Sequence, residues 1–239
     1  MTATTKTGRP KPEGAVKVGL MVPANNTTME RELVAWLPEG STVATVKIPR
    51  GEGLLTRDTI PAYRDRAITL AREHFSNGGV ELLAYGCTAA GFLSGPVGDA
   101  ELARQLGEAT SLPVVTTARA MVNALQHDGA RKVAAVTPYG EEVNRQLSAF
   151  LESADIGVVR LASLNALDVT ALGRITAEEV RALARKTMGS DCDALFIGCS
   201  QLPTFAILSD LATEFDRPAW SSISATAWDA ARVPTATPA

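Results

Sequence analysis

The sequence has few of the features that mark metal-binding or disulfide-bonded proteins. Its 239 residues include two histidines and three cysteines, and no two cysteines form a C-x-x-C pair. The usual zinc-ligand spacings are therefore missing, which argues against a metal cofactor. Residues 1–15 contain no apolar run typical of a signal peptide, and the cysteine count is odd. Both observations favour reduced thiols over a disulfide framework.

Charge and hydropathy argue against two further classes of partner. The net charge is −3 and the pI is near 5.5, so the chain has no basic field to attract a nucleic acid. Apolar runs such as residues 80–85 and 194–197 are far shorter than the roughly 20 residues that span a bilayer. We therefore expect a cytoplasmic protein that binds small anions locally, with neither nucleic acid nor membrane as a partner.

Short β-branched runs alternate with helical patterns along the chain. Strand-like residues 16–22, 80–85 and 133–136 are followed by helix-like residues 28–37, 99–108 and 141–151. This alternation is typical of an α/β fold with a mostly parallel sheet and crossover helices.

The two halves of the chain resemble each other in the same order. Residues 18–23 (V-G-L-M-V-P) match 133–138 (V-A-A-V-T-P), and 83–88 (L-A-Y-G-C-T) match 195–200 (L-F-I-G-C-S). Residues 113–117 (P-V-V-T-T) then match 218–222 (P-A-W-S-S). Such internal similarity indicates a duplication.

The repeat predicts two pseudo-symmetric lobes, each a short parallel sheet flanked by helices, with the active site in the cleft between them. We predict a disordered leader over residues 1–15, an N-terminal lobe over 16–120 plus 221–239, and a C-terminal lobe over 121–220. Ligands of parallel α/β sheets bind beyond the carboxyl ends of the strands, where the matched motifs end.

Two cysteines, Cys87 and Cys199, occupy equivalent positions after a strand and a glycine. A lone Gly-Cys is more often a small buried hydrophobe, but the duplication favours chemistry. Backbone N–H groups at such a strand end are expected to favour the thiolate. Two thiols that face one carbon can serve as base and acid, or as nucleophile and proton donor, and neither route requires a cofactor. Cys192 lies between two aspartates, which disfavour a thiolate, and is expected to be structural.

Polar residues at the other strand ends suit a carboxylate. Asn25 to Thr28 follow a strand and a proline at the start of a helix, which predicts an anion site or a simple N-cap. Tyr139 follows the equivalent proline and is placed either to donate to a carboxylate or to pack. The hydroxyls of Thr88 and Ser200 lie beside the two cysteines.

These motifs resemble the aspartate/glutamate racemase superfamily, and within it the maleate cis-trans isomerases and arylmalonate decarboxylases. Residues 22–30 (V-P-A-N-N-T-T-M-E) are similar to the isomerase segment P-S-S-N-T-T-x-E, and residues 199–204 (C-S-Q-L-P-T) to C-x-Q-M-P-S. The resemblance covers residues 17–233. It implies a cofactor-independent enzyme, expected to be a homodimer, that acts on a small carboxylic acid.

This resemblance implies that Cys87 is the nucleophile that attacks a double bond and that Cys199 is the proton donor or partner thiol. Asn26 and Tyr139 hold a substrate carboxylate, and Asn165 is the candidate for a further family asparagine. The substrate-binding residues that we predict are Pro23, Asn26, Thr88, Tyr139, Asn165 and Ser200.

Two departures from the isomerases keep other functions open. Residues 87–92 (C-T-A-A-G-F) differ from the more aliphatic isomerase segment, and residues 48–59 lack the isomerase Met-Arg-Met pattern. Cys87-Thr88 is closer to racemases and to ectoine-utilisation proteins of the superfamily. We expect a maleate-type cis-trans isomerase. The alternatives are a two-thiol racemase of an acidic amino acid or related acid, an arylmalonate-type decarboxylase, and a non-catalytic protein that binds a small acid. Decarboxylases of this superfamily lack the first cysteine.

Overall fold

The computed structural model describes residues 14–50, 53, 55–166 and 168–233. Its first half contains four strands and five helices in the order β1 (Lys17–Pro23), α1 (Met29–Trp36), β2 (Thr42–Ile48), α2 (Ile60–Phe75), β3 (Leu82–Tyr85), α3 (Thr88–Leu93), α4 (Gly95–Thr110), β4 (Val114–Thr116) and α5 (Thr117–His127). The second half contains β5 (Lys132–Thr137), α6 (Glu141–Glu152), β6 (Gly157–Ser163), α7 (Val169–Arg174), α8 (Ala177–Thr187), β7 (Ala194–Ile197), α9 (Phe205–Phe215), β8 (Ala219–Ser221) and α10 (Ser222–Ala230).

The strands form two four-stranded sheets with the same topology. The first has the order β2-β1-β3-β4 and the second β6-β5-β7-β8, and every neighbouring pair is parallel. The predicted pair of α/β lobes, each with a short parallel sheet flanked by helices, is therefore confirmed.

Burial explains which strands could be predicted from the sequence pattern. Every residue of β3 and of β7 is buried, and both strands are apolar runs, as expected for strands covered on both faces. The edge strands β2 and β6 are mostly exposed or half-buried and carry polar residues, so their patterns gave no prediction.

The core is continuous between the two halves. One cluster of buried apolar side chains contains Val18 and Leu20 of β1 together with Val133 and Val136 of β5. A second cluster lies against α2 and α4 and contains Tyr63, Tyr85 and Cys87. Helices α5 and α10, which follow the last strand of each sheet, pack against each other, and the Thr226 hydroxyl donates to the Thr117 hydroxyl over 3.1 Å.

The structure does not test the predicted leader or the predicted lobe boundaries. Most of the predicted leader, residues 1–13, lies outside the described residues. The lobe boundaries remain a prediction, although α10, which was assigned to the N-terminal lobe, does pack against α1 and α5. No helix within the described part of the chain combines the length and the apolar character needed to cross a membrane.

Candidate active site

A single cavity brings together the carboxyl ends of strands from both sheets. Its volume is about 590 Å³, counting the part that is open to solvent. Both Cys87, which follows β3, and Cys199, which follows β7, lie in its wall. The remaining lining residues are Pro23, Asn25, Asn26, Arg50, Leu55, Thr88, Ala89, Tyr139, Gly140, Val143, Leu172, Ser200 and Gln201.

The backbone before each cysteine is held in the same way. The Gly86 amide donates to the Met21 carbonyl over 2.7 Å, and the Gly198 amide donates to the Val136 carbonyl over 2.8 Å. A β-carbon at Gly86 would lie only 2.5 Å from the Met29 sulfur, so a larger residue cannot be accommodated without displacement. The glycine thus allows the chain to pass close to β1 just before it delivers Cys87.

Cys199 adopts an unusual backbone conformation. Its φ is 139°, in a region that residues with a side chain rarely occupy. The Cys199 amide donates to the Ser222 hydroxyl over 2.9 Å, and the Gln201 amide donates to the Cys199 sulfur over 3.5 Å. Strain of this kind, of order 1–3 kcal/mol, persists only where neighbours fix the geometry, and it is concentrated at functional sites.

Burial keeps both thiols protonated. Desolvation raises the pKa of Cys87 to about 11, although the Ala90 amide and the Arg50 guanidinium oppose this effect. The pKa of Cys199 is also raised by burial, with partial opposition from the Gln201 amide and the Tyr139 hydroxyl. Backbone amides favour both thiolates, as expected, but the cost of burying a charge exceeds their help, so the net effect is a raised pKa at each cysteine.

Two hydroxyls in the cavity wall have no partner among the described residues. Thr88 Oγ1 and Tyr139 Oη are both buried and form no hydrogen bond of ordinary geometry there, although Thr88 and Cys199 interact with the Tyr139 hydroxyl closely enough to affect its pKa. Burial and the neighbouring Cys199 raise the pKa of Tyr139 well above its usual range, so its hydroxyl keeps the proton that it can donate. A buried hydroxyl in a cavity wall that has no protein acceptor is able to donate to a molecule bound in the cavity.

Asn26 and Ser200 connect the two cysteine loops. Asn26 Nδ2 donates to both the carbonyl and the hydroxyl oxygen of Ser200, each over 3.1 Å. Ser200 Oγ donates in turn to the Gly86 carbonyl over 2.8 Å. Asn26 Oδ1 accepts from the amides of Thr28 and Met29 and so caps the start of α1. The predicted carboxylate role of Asn26 must therefore compete with bonds that its side-chain amide already makes.

Matches to known proteins place the chain in a family. The family described as arylmalonate decarboxylase matches residues 18–238. This chain belongs to the arylmalonate decarboxylase family. A maleate isomerase from Nocardia farcinica (strain IFM 10152) is 30% identical over 233 residues, with 92% of this chain and 90% of that protein covered. An arylmalonate decarboxylase from Bordetella bronchiseptica is 30% identical over 185 residues, 77% of each chain.

A solved structure of a family relative agrees with the whole fold. It is a Cys-to-Ser variant of the Nocardia farcinica maleate cis-trans isomerase with a covalently bound succinylcysteine intermediate. It matches with a TM-score of 0.82 at 26% identity and covers 90% of this chain and 91% of that chain. The resemblance inferred from the sequence motifs is thus confirmed at the level of the family.

Of the other predicted site residues of this family member, three line the cavity and one does not. Pro23, Thr88 and Ser200 line the cavity together with both cysteines. Asn165 is exposed and has a φ of 46°, and among the described residues it is not part of the cavity wall. The backbone amide of Asn165 donates to the Ser163 hydroxyl over 2.8 Å. The side chain lies beside Gly140, at the rim, so its role in substrate binding remains a prediction.

Sequence reasoning did not select Arg50, and it named Asn25 only as part of the predicted anion site at residues 25–28. Arg50 is the single cation among the described lining residues, and its charge lowers the pKa of both thiols. Asn25 Oδ1 is buried without a hydrogen-bond partner. Arg50 comes two residues after the end of β2, an edge strand whose own pattern gave no prediction, so its place in the cavity wall was not foreseen.

Proposed function

We propose that this family member is a cofactor-independent cis-trans isomerase of a small cis-dicarboxylic acid, with maleate as the test substrate. The observation that carries the proposal is the combination, in one cavity wall, of two buried thiols with two buried hydroxyls that lack partners. The similarity to maleate isomerases over nine-tenths of both chains supports it.

The substrate carboxylates are held by the donors of the cavity wall. Tyr139 and Thr88 donate hydrogen bonds to one carboxylate, which supplies the acceptor that these hydroxyls lack. Arg50 provides positive charge at the same cavity, where a desolvated dianion requires it. The net charge of the protein is negative, so this local arrangement rather than a global field selects the anion.

Cys87 and Cys199 carry out the chemistry in this proposal. The Cys87 thiolate adds to one alkene carbon, and the π electrons move to the neighbouring carbon as a carbanion stabilised by its carboxylate. Cys199 delivers a proton to that carbon and leaves a saturated thioether with a rotatable carbon–carbon bond. After rotation, the Cys199 thiolate removes the proton and the carbon–sulfur bond breaks, which releases the trans acid and restores both cysteines. The succinylcysteine in the Nocardia farcinica structure is consistent with such an intermediate.

The second candidate is racemisation of an acidic amino acid or a related acid. The observation that favours it is the equivalence of the two thiols, each after the third strand of its sheet and each with a pKa raised by burial. One thiol would remove the α-proton and the other would return a proton to the opposite face. The decarboxylase alternative has a relative in its favour, but a decarboxylase has no evident use for Cys87.

Proton NMR in D₂O separates the candidates. Maleate, aspartate, glutamate and an arylmalonate are each incubated with the protein and with its Cys87→Ala variant. A fumarate signal that requires Cys87 supports the isomerase, whereas loss of an α-proton signal without a new product supports the racemase. A new monoacid from the arylmalonate, formed equally by the variant, supports the decarboxylase. If no acid changes while maleate raises the thermal midpoint and iodoacetamide labels neither cavity cysteine, the protein is a binder.

A further inference from the structure

Tyr63 of α2 lies behind the wall of the cavity rather than in it. It is absent from the described lining residues but belongs to the same buried cluster as Cys87 and Tyr85. Its side chain is almost completely buried, with 4% of its surface exposed. The motifs shared with the isomerases do not include this residue.

The Tyr63 hydroxyl has no hydrogen-bond partner of ordinary geometry among the described residues. Tyr63 and Cys87 belong to the same buried cluster, and a hydrogen-bonding interaction between the two groups lowers the pKa of Cys87 and raises that of Tyr63. A neutral thiol is a weak acceptor, whereas a thiolate accepts a strong, charge-assisted hydrogen bond. Ionisation of Cys87 would therefore give the Tyr63 hydroxyl a strong acceptor.

The second thiol has an equivalent neighbour. The Tyr139 hydroxyl is also buried without a partner and lies beside Cys199, where it lowers the pKa of that thiol. The chain contains only three tyrosines. Two of them therefore each neighbour a different cysteine. Tyr63 neighbours Cys87 from outside the cavity wall, and Tyr139 neighbours Cys199 from within it.

We propose that Tyr63 is a positioning residue that donates its hydroxyl hydrogen to the Cys87 sulfur once that sulfur carries negative charge. The hydrogen bond holds the thiolate at the cavity wall and leaves the cavity side of the sulfur free for substrate. Hydrogen bonds of this kind are often long in the free enzyme and shorten only when charge develops. The inference extends beyond the proposed function, because it applies to any reaction in which Cys87 is ionised.

Several other groups also influence Cys87 and must be separated from Tyr63. The Arg50 guanidinium and the Ala90 amide favour its thiolate, while Cys199 opposes it. Cys87 in turn raises the pKa of Tyr85 and of Tyr139. All of these groups are left in place by the substitution Tyr63→Phe, which removes one oxygen atom and keeps the ring.

The test measures the ionisation of each cysteine without any substrate. The rate of iodoacetamide alkylation is followed against pH by mass spectrometry of the individual cysteine peptides, and ultraviolet thiolate absorbance gives a second measure that does not depend on reagent access. Tyr63→Phe is expected to raise the midpoint for Cys87 by about 0.5 to 1 pH unit, so that alkylation at a fixed pH below the midpoint slows about three- to tenfold. The Cys199 midpoint should not move.

Two control variants make the result specific. Tyr139→Phe is expected to shift Cys199 more than Cys87, and Tyr85→Phe removes another buried hydroxyl of the same cluster without shifting the Cys87 midpoint. An unchanged Cys87 midpoint in Tyr63→Phe would overturn the proposal, as would equal shifts of Cys87 and Cys199. Because no substrate is used, failure of maleate isomerisation leaves this test unaffected.

Discussion

Glu32 offers a stringent test of how the two halves are joined. It lies on α1, is 5% exposed, and its carboxylate reaches the start of α9 in the other half. It accepts from the Thr204 amide over 2.9 and 3.1 Å, from the Thr204 hydroxyl over 3.0 Å, and from the Phe205 amide over 3.1 Å. A carboxylate from one half thus caps a helix of the other.

The cost of Glu32→Ala follows from the groups that it would leave behind. Two backbone amides and one hydroxyl would lose their acceptor, and a buried polar group without a partner costs about 1 to 3 kcal/mol. Loss of an anion at a helix N-terminus adds about 0.3 to 1 kcal/mol. Water that enters the vacated space offsets part of this cost. We expect the free energy of unfolding to fall by about 3 kcal/mol, a large fraction of the roughly 5 to 15 kcal/mol of a typical protein.

Urea unfolding followed by tryptophan fluorescence measures this loss. The matched control is Glu30→Ala on the same helix, where the side chain is exposed and the expected loss is about 0.5 kcal/mol. Glu32→Gln retains one acceptor oxygen and should lie between the two. A loss of less than about 1 kcal/mol in Glu32→Ala would refute the view that this carboxylate fastens the halves together.

Three further predictions concern the cavity. Cys87→Ala and Cys199→Ala should each lower the rate of maleate isomerisation, measured by NMR, by about 10⁴-fold. Cys192 lies outside the cavity wall, so Cys192→Ala should retain the full rate. An active Cys87→Ala variant would contradict the mechanism. Because burial raises the pKa of Cys87 to about 11, its thiolate is scarce at neutral pH. The value of kcat/KM should therefore rise by about tenfold per pH unit between roughly pH 7 and 9, and a flat profile would argue that another group is the nucleophile. Ser200→Ala removes the hydroxyl that forms hydrogen bonds with both Asn26 and Gly86. Thermal unfolding should show that the free energy of unfolding falls by about 1 to 2 kcal/mol. Unchanged stability would show that these hydrogen bonds are dispensable.

The fold was predictable where burial left a mark on the sequence. Strands β3 and β7 are covered on both faces, so their apolar runs and the glycine and cysteine that follow were visible and could be aligned. The edge strands β2 and β6 have polar, partly exposed faces and gave no comparable signal. The repeat itself was the decisive observation, because it related positions that are far apart in the chain.

The site was predictable only for residues that follow buried strands. Cys87, Cys199 and Tyr139 do so, and the structure places all three in one cavity wall. The bonds of Asn26 to Ser200 link residues on opposite halves, and no local pattern encodes such a pair. The direction of the thiol pKa depends on desolvation, which is a property of the folded environment. Tyr63 approaches Cys87 from a separate helix, α2, and its position was equally invisible.

The packing of α5 against α10 bears on the origin of the protein. These helices follow equivalent strands, and the hydroxyls of Thr117 and Thr226 meet between them. A single half of this length would supply one thiol and one sheet, so an unfused ancestor would have needed two identical copies to enclose the cavity, each with the same cysteine environment. A single chain that contains both halves has no such constraint. Cys87, which shares a cluster with Tyr63, and Cys199, which interacts with Tyr139, accordingly have different neighbours.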